Sequence, residues 1–166
     1  GCTDSEACNF DLIYLYEDGS CEYPNDGYDC DGNINVQVGD EAFGGIVFYV
    51  DSTEQHGLVA SINDLTGTHE WFCHGVGVQG AEGIEIGYGL QNTHDIINSL
   101  SNCDNNNSPS SATAAEQALF FSSNGFSDWY LPSLNELIEM YYSIGPGSEL
   151  GNIGQFNTNI TAEIDL

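Results

Sequence analysis

Gly45-Ile46-Val47-Phe48-Tyr49-Val50 and Gly57-Leu58-Val59-Ala60-Ser61-Ile62 frame the polar stretch Asp51-Ser52-Thr53-Glu54-Gln55-His56. Two apolar, β-rich runs of strand length separated by turn residues read as a β-hairpin. Upstream, Ile34, Val36 and Val38 alternate with polar residues, as a half-buried strand does. Downstream the apolar period changes to that of helices. Thr113-Ala114-Ala115-Glu116 and Ser133-Leu134-Asn135-Glu136 both fit the capping box, in which hydroxyl and glutamate satisfy free backbone N–H groups reciprocally. The second predicts a helix burying Leu134, Leu137, Ile138 and Tyr141 and stopped by Gly145-Pro146. The first predicts a helix ending at Asn124-Gly125. A third is expected from Thr93 to Leu100, with Ile96, Ile97 and Leu100 inward, followed by a polar loop from Asn102 to Ser111. One late β-like run, Asn159-Ile160-Thr161-Ala162-Glu163-Ile164, follows a Gly- and Asn-rich stretch. Residues 34–166 therefore read as an α+β domain.

Residues 1–33 are different. They hold four of the six cysteines (Cys2, Cys8, Cys21 and Cys30) among Asp, Asn and Gly. Such a segment buries little core and needs staples. An even cysteine number with no Cys-x-x-Cys pair predicts three disulfides and an oxidising compartment, although spacing alone does not fix the pairing. No apolar run approaches the length needed to cross a bilayer, and Gly1-Cys2-Thr3-Asp4 does not resemble a signal peptide. The numbering is therefore expected to begin at a processed end or within a longer protein.

The charge is the strongest compositional signal. The 166 residues include 26 Asp plus Glu and no Lys or Arg, a formal charge of −26. A typical domain of this size carries roughly 20 basic residues. Nucleic acid, heparin-like polyanions and anionic membranes are excluded as partners, because each requires cationic side chains. An apolar fraction of 40% with 11% aromatics still supports a packed core. The composition fits an extracellular protein. It either stays soluble by self-repulsion or is protected from proteases that cut after Lys or Arg. Trypsin is accordingly expected to leave even the reduced, unfolded chain intact on a denaturing gel. Cleavage would contradict the composition.

With no side-chain cation available, the carboxylates must stay in water, accept neutral hydrogen bonds or bind a metal ion. Asp29-Cys30-Asp31-Gly32-Asn33 alternates oxygen side chains around a glycine, as calcium loops do. Asp4, Asn9, Asp11, Asp18 and Asp26 lie in the same region, and calcium is the expected cofactor. Solvated turns use the same residue types. Trp71 and Trp129, with Tyr130, Tyr141 and Tyr142, are candidates for stacking on a glycan, although core packing is the commoner fate of such rings. His56, His69, His74 and His94 are too scattered for zinc. A Cys73–His74 thiol–imidazole pair is disfavoured because adjacent residues rarely face each other correctly. Asn106 and Asn159 begin N-glycosylation sequons.

Two stretches carry a resemblance to known families. Gly1-Cys2-Thr3-Asp4, Ala7-Cys8-Asn9, Asp18-Gly19-Ser20-Cys21 and Gly27-Tyr28-Asp29-Cys30-Asp31-Gly32-Asn33 resemble a short Cys/Asp module of bacteroidete-type secreted proteins. Gly44–Val50, His56–Ala60, Gly87–Thr93 and above all Gly125-Phe126-Ser127-Asp128-Trp129-Tyr130-Leu131-Pro132-Ser133 resemble the Lcl C-terminal domain family. The resemblance implies a C-type-lectin-like fold in secreted or surface-attached adhesion proteins. It also implies the pairing Cys2–Cys21 and Cys8–Cys30, leaving Cys73–Cys103, and an O-glycosylation site at Ser52. Two departures stand out. Family members carry a Lys where Leu134 stands, and they continue into a Trp-Ser-Ser-containing strand pair that this chain lacks. The chain thus reads as truncated relative to the family, with an incomplete sheet and an edge strand open to a neighbour.

These readings converge on a non-enzymatic extracellular structural or adhesion module, with a fibre subunit assembled by strand pairing as its specific form. The alternative is a carbohydrate-binding lectin-like adhesin domain. The partners implied are further copies of the chain, a glycan or a surface protein. No paired carboxylates at an informative spacing, nucleophile elbow or phosphate loop points to an enzyme.

Overall fold

The computed structural model describes residues 1–104 and 107–156. Its body is α+β: a three-stranded antiparallel sheet and three α-helices. The sheet comprises β1 (Glu41–Ala42), β2 (Gly45–Val50) and β3 (Gly57–Ser61), in the order β1-β2-β3. The hairpin turn is built by Asp51. Its backbone N–H bonds the His56 carbonyl at 2.8 Å, and its side chain accepts from the Thr53 hydroxyl at 2.7 Å. Val47 pairs with Val59 and Tyr49 with Leu58, so Phe48 is the extra residue of a β-bulge. Gly57 is required at the hairpin's closing end, because a Cβ there would lie 2.6 Å from the Tyr49 carbonyl oxygen.

The helices are α1 (Gly89–Ser99), α2 (Ala114–Phe120) and α3 (Leu134–Ser143), with a 3-10 turn over Leu100–Asn102. Both capping boxes form as expected. One core joins Ile46, Phe48 and Ala60 of the sheet to Ile144 at the end of α3. A second joins Phe72, Cys73, Ile96 and Ala115 between α1 and α2, and the Cys73–Cys103 disulfide sits in it.

Four sequence expectations need correction. Ile34–Val38 is no strand: Ile34 makes a single bridge with Tyr28, and the pairing along β2 starts at Gly39 and Asp40. Helix α1 begins four residues before Thr93. Helix α2 stops at Phe120, because Asn124 (φ 51°) and Gly125 (φ 87°) form the turn of a small hairpin closed by Ser123 and Phe126. Most consequential is α3. Leu134 and Leu137 are each 50% exposed, and Tyr141 is exposed too. The inward face instead carries Ser133, Glu136 and Ile144, with Met140 half-buried against the sheet core. Glu136, read from sequence only as the capping-box residue, is the most buried residue of the helix.

The N-terminal region is stapled by Cys2–Cys21 and Cys8–Cys30, the pairs that the resemblance implies. It meets the body through the edge-to-face pair Tyr28–Phe43, with centroids 5.5 Å apart, and through the Phe43 N–H donated to Asp26 at 3.0 Å. A boundary at residue 33 falls inside the short hairpin Tyr28–Asn35, which is closed by Asn35 N–H on the Gly27 carbonyl.

Candidate functional site

β3 has β2 on one side only, and no strand pairs with its outer edge among the described residues. That edge opens onto a mostly apolar cleft of about 550 Å³. Leu58 and Val59 of β3, a wall formed by the Trp129–Pro132 stretch, and Met140 of α3 line it. Phe156 lies at its margin and packs on the sheet core. Trp129 is fixed there by its indole N–H on the Phe126 carbonyl (3.2 Å) and by edge contact with Phe121 (5.7 Å). It is a half-buried wall residue rather than a free platform.

Glu136 holds this wall in place. Its carboxylate accepts the Ser133 N–H at 2.6 Å and the Gly87 N–H at 2.8 Å, and the Tyr130 hydroxyl is 3.5 Å away. Burial and the neighbouring carboxylate push the Tyr130 phenol well above its ordinary pKa, so it remains a donor. Gly89, at the start of α1, packs against the same group. A Cβ there would collide with the Glu136 carboxylate, the Tyr130 ring and the Leu131 carbonyl. Gly89→Ala is therefore expected to destabilise by about 2–3 kcal/mol, against the small gain that alanine brings to an open helix site. Urea unfolding checks this, and a neutral or stabilising result would refute the packing.

The predicted calcium ligands are not gathered into one site. Asp4 accepts the Glu6 N–H (3.0 Å) and the Tyr23 hydroxyl (2.7 Å), and these bonds hold its carboxyl below the usual range. Asn9 bridges the Ser20 carbonyl and the Glu22 N–H, while Asp11 accepts the Ile13 N–H. Asp18 accepts from the Gly1 ammonium and the Ser20 N–H, and Asp26 from Phe43. Asp29 accepts the Asn33 side-chain amide and the N–H groups of Asp31 and Asn33, which lower its pKa. Asp31 is exposed on the same turn.

Among the described residues, the group with metal-ligand spacing is Cys2, Glu17 and Cys21. Its two sulfurs are already joined as a disulfide, so no thiolate is present. The arrangement does not supply the 6–8 converging oxygens that calcium takes. Melting tests the calcium expectation: a rise in CaCl₂ beyond that in NaCl of matched ionic strength, reversed by chelator, would mark a specific site, and an equal rise would mark screening alone.

The remaining predicted residues are dispersed. Trp71 is 55% exposed in a separate shallow hollow beside Glu70, His74 and Asn107. Ser52 is exposed at the β2–β3 turn. Asn106 and Asn159 lie outside the described residues, as does the late β-like run. Cys73 is in a disulfide and offers His74 no thiol.

A feature that charge and periodicity did not flag is the run Leu12-Ile13-Tyr14-Leu15-Tyr16. Leu12, Leu15 and Tyr16 are each 84% exposed. The signal was available: five apolar residues between Cys8 and Cys21 have no core within reach to enter. Together with the outward face of α3, they give a strongly acidic molecule unusual apolar surface. Three disulfides fit an oxidising environment; among the described residues no helix is long and apolar enough to cross a membrane. No protein-family model, curated protein or solved structure matches this chain.

Proposed function

We propose that this chain is a non-enzymatic extracellular structural module that associates with copies of itself by strand pairing. The observation that carries this reading is the outer edge of β3, without a strand partner among the described residues and opening on an apolar cleft. An exposed strand edge is a template for another strand. Like-charged chains repel, so contacts between them must come from backbone pairing and apolar burial, with salt screening the remainder. The Leu12–Tyr16 run and the face carrying Leu134, Leu137 and Tyr141 supply further apolar area. The α+β body, with its capped helix after Trp129–Pro132, is compatible with a C-type-lectin-like domain, which we keep as part of the proposal.

Sedimentation velocity across a hundredfold concentration range, with electron microscopy of the concentrated sample, tests the reading. Association that rises with concentration and salt is expected. A single monomeric species throughout would end it.

A second reading, glycan binding, rests on Trp71, whose exposed ring sits beside polar groups. Glycan-array binding lost in a folded Trp71→Ala variant would favour it.

A further inference from the structure

We infer that the strand received by β3 is residues 159–166 of a second copy of this chain. The inference rests on the assembly reading and names its donor.

The cleft imposes requirements on what fills it. A strand added to β3 must present apolar side chains at every second position toward the cleft and polar ones away from it. Residues 159–166 meet this without exception. Ile160, Ala162, Ile164 and Leu166 alternate with Thr161, Glu163 and Asp165. In an extended conformation the two acidic groups fall on the face opposite the apolar one. They are then kept from Asp64 and Asp128, which line the cleft. The Leu12–Tyr16 run does not qualify, because its apolar residues are consecutive and the Tyr14 N–H is already tied to the Asp11 carbonyl inside a disulfide loop.

The choice of a second copy follows from the hinge. Phe156 stands at the margin of the cleft, and its N–H and carbonyl are both held by the Asn152 side chain, at 3.0 and 2.8 Å. Only Asn157, Thr158 and Asn159 separate it from Ile160. A short hinge leading out of a fixed turn favours exchange of a strand between copies over closure on the same chain. Each copy then donates one strand and accepts another through different surfaces. A contact of that heterologous kind propagates into a filament unless its rotation closes a ring.

Four versions of the full chain test this by sedimentation velocity and amide hydrogen exchange: wild type, I160D/I164D, T161D, and a variant with six Gly/Ser residues inserted between Thr158 and Asn159. The inference expects wild type and T161D to associate with protected β3 amides. I160D/I164D should weaken association at least tenfold. The lengthened hinge should give monomers with β3 still protected, through self-closure. If wild type associates and I160D/I164D does so equally, the donor assignment is overturned while the assembly reading stands. If wild type stays monomeric and its β3 amides are protected in a manner lost in I160D/I164D, the strand belongs to the same chain and the inference is overturned. A monomer with unprotected β3 amides overturns both.

Discussion

Glu136→Ala is expected to destabilise the body by about 3 kcal/mol, a large effect for a helix-cap residue. The cap itself accounts for about 1 kcal/mol. The larger share comes from the Ser133 and Gly87 N–H groups, which lose a charged acceptor that is itself fully buried. Hydrogen bonds to charged groups are worth about 1.5–3 kcal/mol, and a buried donor left unmade carries its full desolvation cost. Against this, removing a fully buried carboxylate relieves part of its own desolvation penalty, which is why the expected sum is not larger. Glu136→Gln keeps one acceptor oxygen and should cost roughly half as much. Urea unfolding followed by tryptophan fluorescence reads both variants, with the m-value expected to stay constant. A cost below about 1 kcal/mol for the alanine variant would show that water reaches the site. Because the same carboxylate braces Tyr130 and the turn before α1, Glu136→Ala should also loosen the cleft wall.

What the sequence made legible was local. The hairpin and both capping boxes depend on residues three to six apart, and they form where the pattern puts them. The disulfide partners followed from resemblance, since spacing leaves the pairing open. Contacts over longer separation defeated the periodicity argument. Leu134, Leu137 and Tyr141 look like a buried stripe because apolar side chains usually turn inward. Glu136 overrides this because the Gly87 N–H joins the Ser133 N–H of the capping box on its carboxylate, and no window of sequence around α3 contains Gly87. The Asp/Asn turns were ambiguous for another reason: a carboxylate that receives turn N–H groups and one that binds calcium have the same residue type and the same spacing. The cleft was not visible at all, since its walls come from β3, from residues 126–132 and from α3. An open sheet edge was expected from the resemblance alone; among the described residues the outer side of β3 has no strand partner, and the alternating run is read from sequence.

The charge also acquires a more definite physical meaning. A protein of charge −26 without Lys or Arg is held apart from its copies at long range. At an ionic strength of about 0.15 M that repulsion is confined to roughly 8 Å, whereas apolar and backbone contacts act at van der Waals distance. Dilute, low-salt conditions should therefore keep chains apart, and saline conditions should permit the strand pairing proposed above.

Replacing Cys2, Cys8, Cys21 and Cys30 together by serine is expected to unfold residues 1–27 while leaving the body folded. In this region Cys2 and Ala7 are the buried apolar residues, and Cys2 is itself part of a staple. Burial of an alanine contributes about 1 kcal/mol or less, far too little to offset the backbone entropy of ordering some thirty residues. The disulfides close loops of 19 and 22 residues of separation. Each is worth about 3 kcal/mol on loop-closure grounds, with less than additive gain because the two loops interlace. The Asp4, Asn9 and Asp29 turn bonds are exposed and cannot replace them. The body has its own cores and its own disulfide, Cys73–Cys103, and it meets the N-terminal region chiefly at Tyr28–Phe43 and Asp26–Phe43. Amide exchange should therefore become unprotected across residues 1–27 and remain slow in β2 and α1. Retained protection at Cys8 or Glu22, whose backbones bond at 2.7 Å in the stapled protein, would show a core that side-chain burial does not reveal. Loss of protection in β2 would show that the two parts fold as one unit, with the Tyr28–Asn35 hairpin as their shared element.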